Sequence, residues 1–133
     1  MQAPALESVC FIVFGPPQPK QRARRGARGR WYTPAETRRY EAAVRAIASV
    51  NLAHWRRDGT YRLRVSAFFG DRRRRDLDNV VKAVGDALNG VGYEDDSQVV
   101  ETRTSKHVAP GDPRTIVMLE RIGDAPARKA RRA

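Results

Sequence analysis

Val9, Phe11 and Val13 alternate with Cys10, Ile12 and Phe14. Both sets are apolar, which predicts a strand buried on both faces, with Cys10 as a small core residue. Pro16, Pro17 and Pro19 end it. A helix is predicted next: Thr33 suits the N-cap, Pro34 the first helical position, and Glu36 completes a capping box with Thr33. Tyr40, Val44, Ile47 and Val50 form its apolar stripe. It fades around His54 to Asp58, and Gly59 closes it. Tyr61, Leu63, Val65, Ala67 and Phe69 then alternate with Arg62, Arg64 and Ser66, the period-two pattern of a half-buried strand. From Leu77 the period lengthens. Leu77, Val81, Val84, Leu88 and Val91 share one helical face, stopped by Gly90 and Gly92. Two strands follow, over 97–106 and 115–121, joined by the turn Pro110-Gly111-Asp112-Pro113. The order β-α-β-α-β-β predicts an α+β fold: one mixed sheet with two helices packed on it in two layers. The expected organisation is a single domain over 1–123 and a basic, disordered tail over 124–133. No internal repeat is visible.

Charge changes the picture. The chain has 133 residues, 26 of them Lys or Arg against 15 Asp or Glu, for a net charge of +11. Such an excess in one small domain points to a polyanion, nucleic acid first. Residues 20–30 are a basic loop, with Lys20, Arg22, Arg24, Arg25, Arg28 and Arg30 interrupted by Gly26 and Gly29. It reads either as a solvated loop or as an arm that orders on phosphates. Trp31 and Tyr32 follow immediately as its expected anchors. One cysteine excludes an intrachain disulfide and a Cys-type zinc site. The run Val9 to Phe14 is too short for a signal-peptide core or a membrane span, so a cytoplasmic, soluble protein is expected. A two-fold partner would enlarge a modest core.

The chemistry concentrates in Asp71-Arg72-Arg73-Arg74-Arg75-Asp76-Leu77-Asp78-Asn79. Asp76 and Asp78 point to one side of an extended backbone, where strand gives way to helix. Converging carboxylates repel unless a cation lies between them. Oxygen ligands without His or Cys suit Mg²⁺ or Mn²⁺. Either residue also suits a helix N-cap. Glu94-Asp95-Asp96 is a further acidic cluster, and a strand returning along the sheet brings Asp95 or Asp96 toward the pair. Lys82, four residues after Asp78, reads equally as an ordinary i,i+4 partner or as a phosphate-holding group. Asp71, Asp86 and Glu101 read as solvated or structural charges. His54 and His107 have no nucleophile or acid at a triad spacing, and no phosphate-binding glycine loop is present.

The run from Asp71 through Asp76-Leu77-Asp78-Asn79, Lys82 and Asp86-Ala87-Leu88 to Gly92-Tyr93-Glu94-Asp95-Asp96-Ser97-Gln98-Val99-Val100 resembles the RusA family of Holliday-junction resolvases. Gly15-Pro16-Pro17-Gln18-Pro19-Lys20-Gln21-Arg22 and Tyr32-Thr33-Pro34 are similar to family members too. The resemblance spans about Phe11 to Lys106. It implies a homodimeric, Mg²⁺-dependent endodeoxyribonuclease of bacterial or phage origin that nicks four-way junctions symmetrically on two strands. It implies Asp76, Asp78 and Asp96 as metal ligands and catalytic acids, selecting Asp96 over Asp95, and Lys82 as a catalytic lysine. Mn²⁺ is expected to substitute. Lys20, Arg22, Arg24 and Arg25, with Arg72, Arg73, Arg74 and Arg75, are the expected DNA contacts.

Two other classes fit part of the pattern. A non-catalytic DNA-binding protein, or a structural basic protein, accounts for the charge and leaves the acidic clusters unexplained. The same nuclease chemistry on flaps, forks or RNA fits the residues as well as a four-way junction does.

Overall fold

The computed structural model describes residues 7–125. Four strands form the main sheet in the order β1-β6-β4-β5. These are β1 (Glu7–Phe14), β4 (Gly59–Phe69), β5 (Val99–Val108) and β6 (Arg114–Asp124). β6 runs antiparallel to both β1 and β4, while β4 and β5 are parallel. The parallel pair needs a crossover, which α2 (Leu77–Ala87) supplies; α1 (Ala35–Asn51) precedes β4. The sheet is mixed and the fold α+β, as the patterning predicts. Two short strands, β2 (Arg24–Arg25) and β3 (Trp31–Tyr32), make a separate ribbon. The sequence at 20–30 predicts no such element. Residues 1–6 and 126–133 lie outside the described residues, and with them most of the expected tail.

Both helices pack on one face of the sheet. Tyr61, Leu63, Val65, Ala67 and Phe69 of β4 point into that layer, as do Phe11, Val13, Val117 and Leu119. The alternation over 61–69 is realised fully, each odd-numbered side chain being buried and each even-numbered one half-buried. β1 departs from expectation. Only Phe11 and Val13 are buried, whereas Cys10, Ile12 and Phe14 face outward and are exposed. The helices cover one face only, so an apolar outer set does not become core.

The helix details also shift. Pro34 is the N-cap of α1, with extended backbone and no side-chain cap, so the predicted Thr33–Glu36 capping box is absent. Thr37 is instead buried, its hydroxyl accepting from the Gln21 N–H at 3.1 Å. Val50 is exposed because the buried stripe runs Thr37, Tyr40, Val44, Ala48 and Leu52, and a step of three from Ile47 leaves it. In α2 the buried face is Val80, Ala83, Val84 and Ala87, rotated from the predicted one. Alanines bring the helix close to its neighbours, and Leu77, Val81 and Val91 stand at the margin.

Candidate active site

β4 ends at Phe69, and the connection to α2 is held by its own charges. Asp71 accepts from the Arg73 N–H at 2.9 Å and from the Arg75 guanidinium at 2.7 Å. The Arg75 bond, then the Arg73 bond, holds the Asp71 carboxyl down to about 2. The Arg75 guanidinium also lies 4.7 Å from the centre of the Phe69 ring. Arg75 is therefore committed inside the chain. Arg72, Arg73 and Arg74 are exposed.

Asp76 caps α2. Its carboxylate accepts from the Asn79 backbone N–H at 3.4 Å and from Asn79 Nδ2 at 3.0 Å. Asn79, at the third helical position, thus donates to the Asp76 carboxylate from both its backbone and its side-chain amide. Asp78 and Lys82 follow on the outer crest of the helix, both exposed. No Asp78–Lys82 ion pair forms, so the ordinary i,i+4 reading of Lys82 is not realised.

One flank of that crest is walled by the segment after β1. The Lys20 N–H donates to the Asn79 carbonyl at 2.8 Å. The Lys20 ammonium lies 3.0 Å from Glu41 on α1 and beside Asp86 on α2. Burial lowers its pKa, but the hydrogen bonds and charges of Asp86 and Glu41 outweigh that and leave it raised. Lys20, expected as a DNA contact, ties three parts of the chain together instead. Its partners are 21 and 66 residues away. The segment closes a concavity of about 560 Å³, lined by Lys20, Gln21, Arg22, Ala23, Asp76, Asn79 and Lys82. Arg22 is exposed at its wall, and Arg24 and Arg25 are exposed beyond it.

The opposite flank carries the second acidic cluster. Asp95 caps a short 3-10 turn over Asp96–Gln98, accepting from the Ser97 N–H at 3.0 Å. Hydrogen bonding from Ser97 holds the Asp95 carboxyl below the usual carboxylate range. Gln98 completes a capping box and donates to the carbonyls of Arg57 and Gly59, pinning the turn to the start of β4. The D-x-x-Q spacing carries that signal in the sequence. Asp96 is exposed beside Val81, Gly85 and Tyr93. Tyr93 is fully buried, and its phenol is pushed up by burial and then by the charges of Asp96, Asp86 and Asp95.

The structure thus gathers Asp76 and Lys82 in one concavity, with Asp78 on the crest between that concavity and Asp96. Among the described residues, no group of three His, Cys, Asp or Glu side chains is close enough together to hold one ion. The donor chemistry nevertheless fits a hard divalent cation. Asp78 and Asp96 are exposed oxygen donors with no hydrogen bond or ion pair in the described chain. Mg²⁺ is commonly held by one or two carboxylates together with waters and substrate phosphates, without an all-protein cage.

A family model described as endodeoxyribonuclease RusA matches residues 14–120. The crossover junction endodeoxyribonuclease RusA of Escherichia coli (strain K12) is 37% identical over 91 residues, covering 68% of this chain and 76% of the relative. The crossover junction endodeoxyribonuclease rusA of Enterobacteria phage 82 matches with the same identity and coverage. The uncharacterized protein YqaN of Bacillus subtilis (strain 168) is 49% identical over 47 residues, which is 35% of this chain and 32% of that protein.

Proposed function

The chain belongs to the RusA family of endodeoxyribonucleases, and from that premise we propose that it resolves four-way DNA junctions by divalent-metal-dependent hydrolysis, nicking two strands symmetrically as a homodimer. The observation that carries this reading is a contrast in commitment. Asp71, Asp86, Asp95 and Glu101 are all bound within the chain. Asp78, Asp96 and Lys82, on one outward face, have no hydrogen bond or ion pair among the described residues. Uncompensated carboxylates on a protein of charge +11, in a region built to approach phosphates, are favourable with a cation between them and the DNA. Glu94 is similarly uncommitted but precedes the capped turn.

Asp76, Asp78 and Asp96 are the residues that would hold Mg²⁺ or Mn²⁺. When bound, such an ion supplies an activated water and offsets charge on the scissile phosphate. Asn79 keeps the Asp76 carboxylate fixed and aimed from the helix N-terminus. Lys82, in the same concavity, offers an ammonium to a phosphate oxygen. Arg22, Arg24 and Arg25 on one side and Arg72 to Arg74 on the other supply backbone contacts, which position the DNA without reading its sequence. A two-fold dimer presents two such sites, one per strand to be cut. No helix among the described residues is long and apolar enough to cross a membrane. The proposed setting is the cytoplasm of a bacterial or phage-infected cell.

The test is cleavage of a labelled four-way junction beside a linear duplex, with Mg²⁺ or EDTA. The expected result is paired nicks on the junction that vanish in EDTA and fall by at least ~100-fold in Asp78→Asn, with binding to the junction retained. Tight junction binding without cutting under any divalent ion would leave a DNA-binding protein and sink the catalytic assignment.

A further inference from the structure

The basic segment after Lys20 is not a featureless loop. Arg24 pairs with Tyr32 and Arg25 with Trp31 in an antiparallel ribbon. The turn is closed by the Gly26 N–H donating to the Arg30 carbonyl at 2.8 Å and the Gly29 N–H to the Gly26 carbonyl at 2.9 Å. Gly29 has φ of +75°, a conformation that disfavours side chains, and the Arg25 guanidinium lies across it, 3.3 Å from where a Cβ would sit. The Tyr32 ring lies similarly close to Gly26, at 3.6 Å from its Cβ position. Tyr32 is therefore an anchor of the ribbon. Trp31 is not: it is 70% exposed.

An indole left that open forgoes a large apolar burial. Its surroundings say what would cover it. Residues directly opposed in an antiparallel pair share a face, so Trp31 shares its face with Arg25. No acidic residue occurs between Gly15 and Ala35. Apart from the small Ala23 and Ala27, the ribbon has no aliphatic side chain to extend an apolar interface. A second copy laid on it would bring arginine against a chain that is itself strongly cationic. An aromatic face flanked by guanidinium groups is the arrangement that stacks a nucleobase while holding the adjoining phosphates.

We propose that the β2–β3 ribbon is a nucleobase-stacking platform, with Trp31 stacking on an unpaired DNA base and Arg25 and its neighbours holding the backbone on either side. Arg24 follows directly on Ala23, the last residue of the wall around the concavity that contains Asp76 and Lys82. Lys20 fixes the base of that wall to both helices. A base held by Trp31 therefore sets where the strand enters the concavity. In linear duplex the bases are stacked on each other and unavailable. At the open centre of a four-way junction the flanking base pairs have lost a stacking neighbour, so a base there is drawn out at lower cost. The platform rests on the branched-DNA reading for its biological ligand, and supplies a reason for selecting branched over linear DNA.

Intrinsic fluorescence tests it without cleavage. The chain has two tryptophans, and Trp55 is half-buried and donates to the Gly92 carbonyl at 2.9 Å. The signal missing from Trp31→Phe is therefore that of Trp31. Wild type, Trp31→Phe and Trp31→Ala are titrated in EDTA with a twelve-nucleotide thymidine strand, an immobile four-way junction and a blunt duplex. Stacking predicts quenching of Trp31 by the single strand and the junction and much less by the duplex. It also predicts about tenfold weaker junction binding in Trp31→Ala, largely restored in Trp31→Phe. No quenching of Trp31 by saturating single strand overturns the platform, as does junction binding that is indifferent to Trp31→Ala. A change in Trp31 fluorescence with protein concentration alone, without DNA, overturns it in favour of a protein contact. If the single strand quenches Trp31 while wild type binds junction and duplex equally, the platform stands and the branched-DNA reading falls.

Discussion

Two charged regions of this molecule look alike in the sequence and differ in the fold. On the open face of the sheet, Arg62, Arg64, Glu101, Arg103 and Glu120 form a closed network. Arg62 lies 2.8 Å from Glu101 and 2.9 Å from Glu120. Glu101 also holds Arg103 at 2.8 Å, and Glu120 holds Arg64. Every charge there is answered within the network, across strands for Arg62, Arg64 and Glu120 and within β5 for Arg103. On the outer side of α2, Asp78, Asp96 and Lys82 are answered by nothing in the described chain. The first region has the form of a structural device, because its charges are already spent on each other. The second has charge left over for something outside the protein. Charge density alone does not separate the two; the number of partners inside the chain does.

The sharpest way to break that contrast is to compare adjacent acids that differ only in commitment. Asp95 caps the turn and Asp96 does not. Asp96→Asn is expected to lower junction cleavage by ~100-fold or more while leaving the melting temperature within a degree or two. Asp95→Asn keeps a capping side chain, so cleavage should fall only a few-fold. Equal losses in both variants, read as initial cleavage rates at saturating Mg²⁺, would show that the turn and not the Asp96 carboxylate is what matters.

Much of this arrangement is legible along the chain because it is local. The alternation over 61–69, the cap at Asp76, and the run of acids at 94–96 all depend on neighbours within a few residues. What is illegible depends on distant partners. Nothing in the sequence near Lys20 announces that its ammonium is taken by Glu41 and Asp86, so it reads as one more DNA-binding cation. Arg75 is a nearer case: its partners Asp71 and Phe69 lie within a few residues, and they meet it only because the connection after β4 folds back on itself. Trp31 reads as an anchor beside Tyr32, yet only Tyr32 packs on the turn. β1 reads as doubly buried because apolar pattern records what a strand carries, not which face the helices cover. The contribution of Ala83 and Ala87 to the core is hidden for the opposite reason: small side chains register weakly in a hydrophobic pattern.

The network on the open face gives the middle-sized effect, and of a different kind. Glu120 is buried, 6% exposed, and bridges Arg62 and Arg64. Glu120→Ala would leave two guanidinium groups without that partner on the sheet. Thermal unfolding should show a loss of roughly 5–10 °C, with cleavage per folded molecule unchanged. Loss of cleavage without loss of stability would move this face into the functional category and erase the contrast.

Asp71 gives the smallest effect and tests the committed side by pH. Its carboxyl is held down to about 2, against an ordinary value of 3.8, by the Arg75 guanidinium and then the Arg73 N–H. A depressed folded-state value means that the tie contributes fully above the ordinary value. It is lost only as pH falls from about 3.8 through about 2. Carbon-detected NMR titration of the aspartates should therefore show Asp71 protonating at the low end of that window. Asp71→Asn removes the charge but keeps an acceptor, so any pH-dependent loosening of residues 71–75 above pH ~4 should be absent from both proteins. A midpoint for Asp71 near the ordinary carboxylate value would mean that Arg75 is not held by it in solution. Arg75 would then rejoin Arg72, Arg73 and Arg74 as a cation available to DNA.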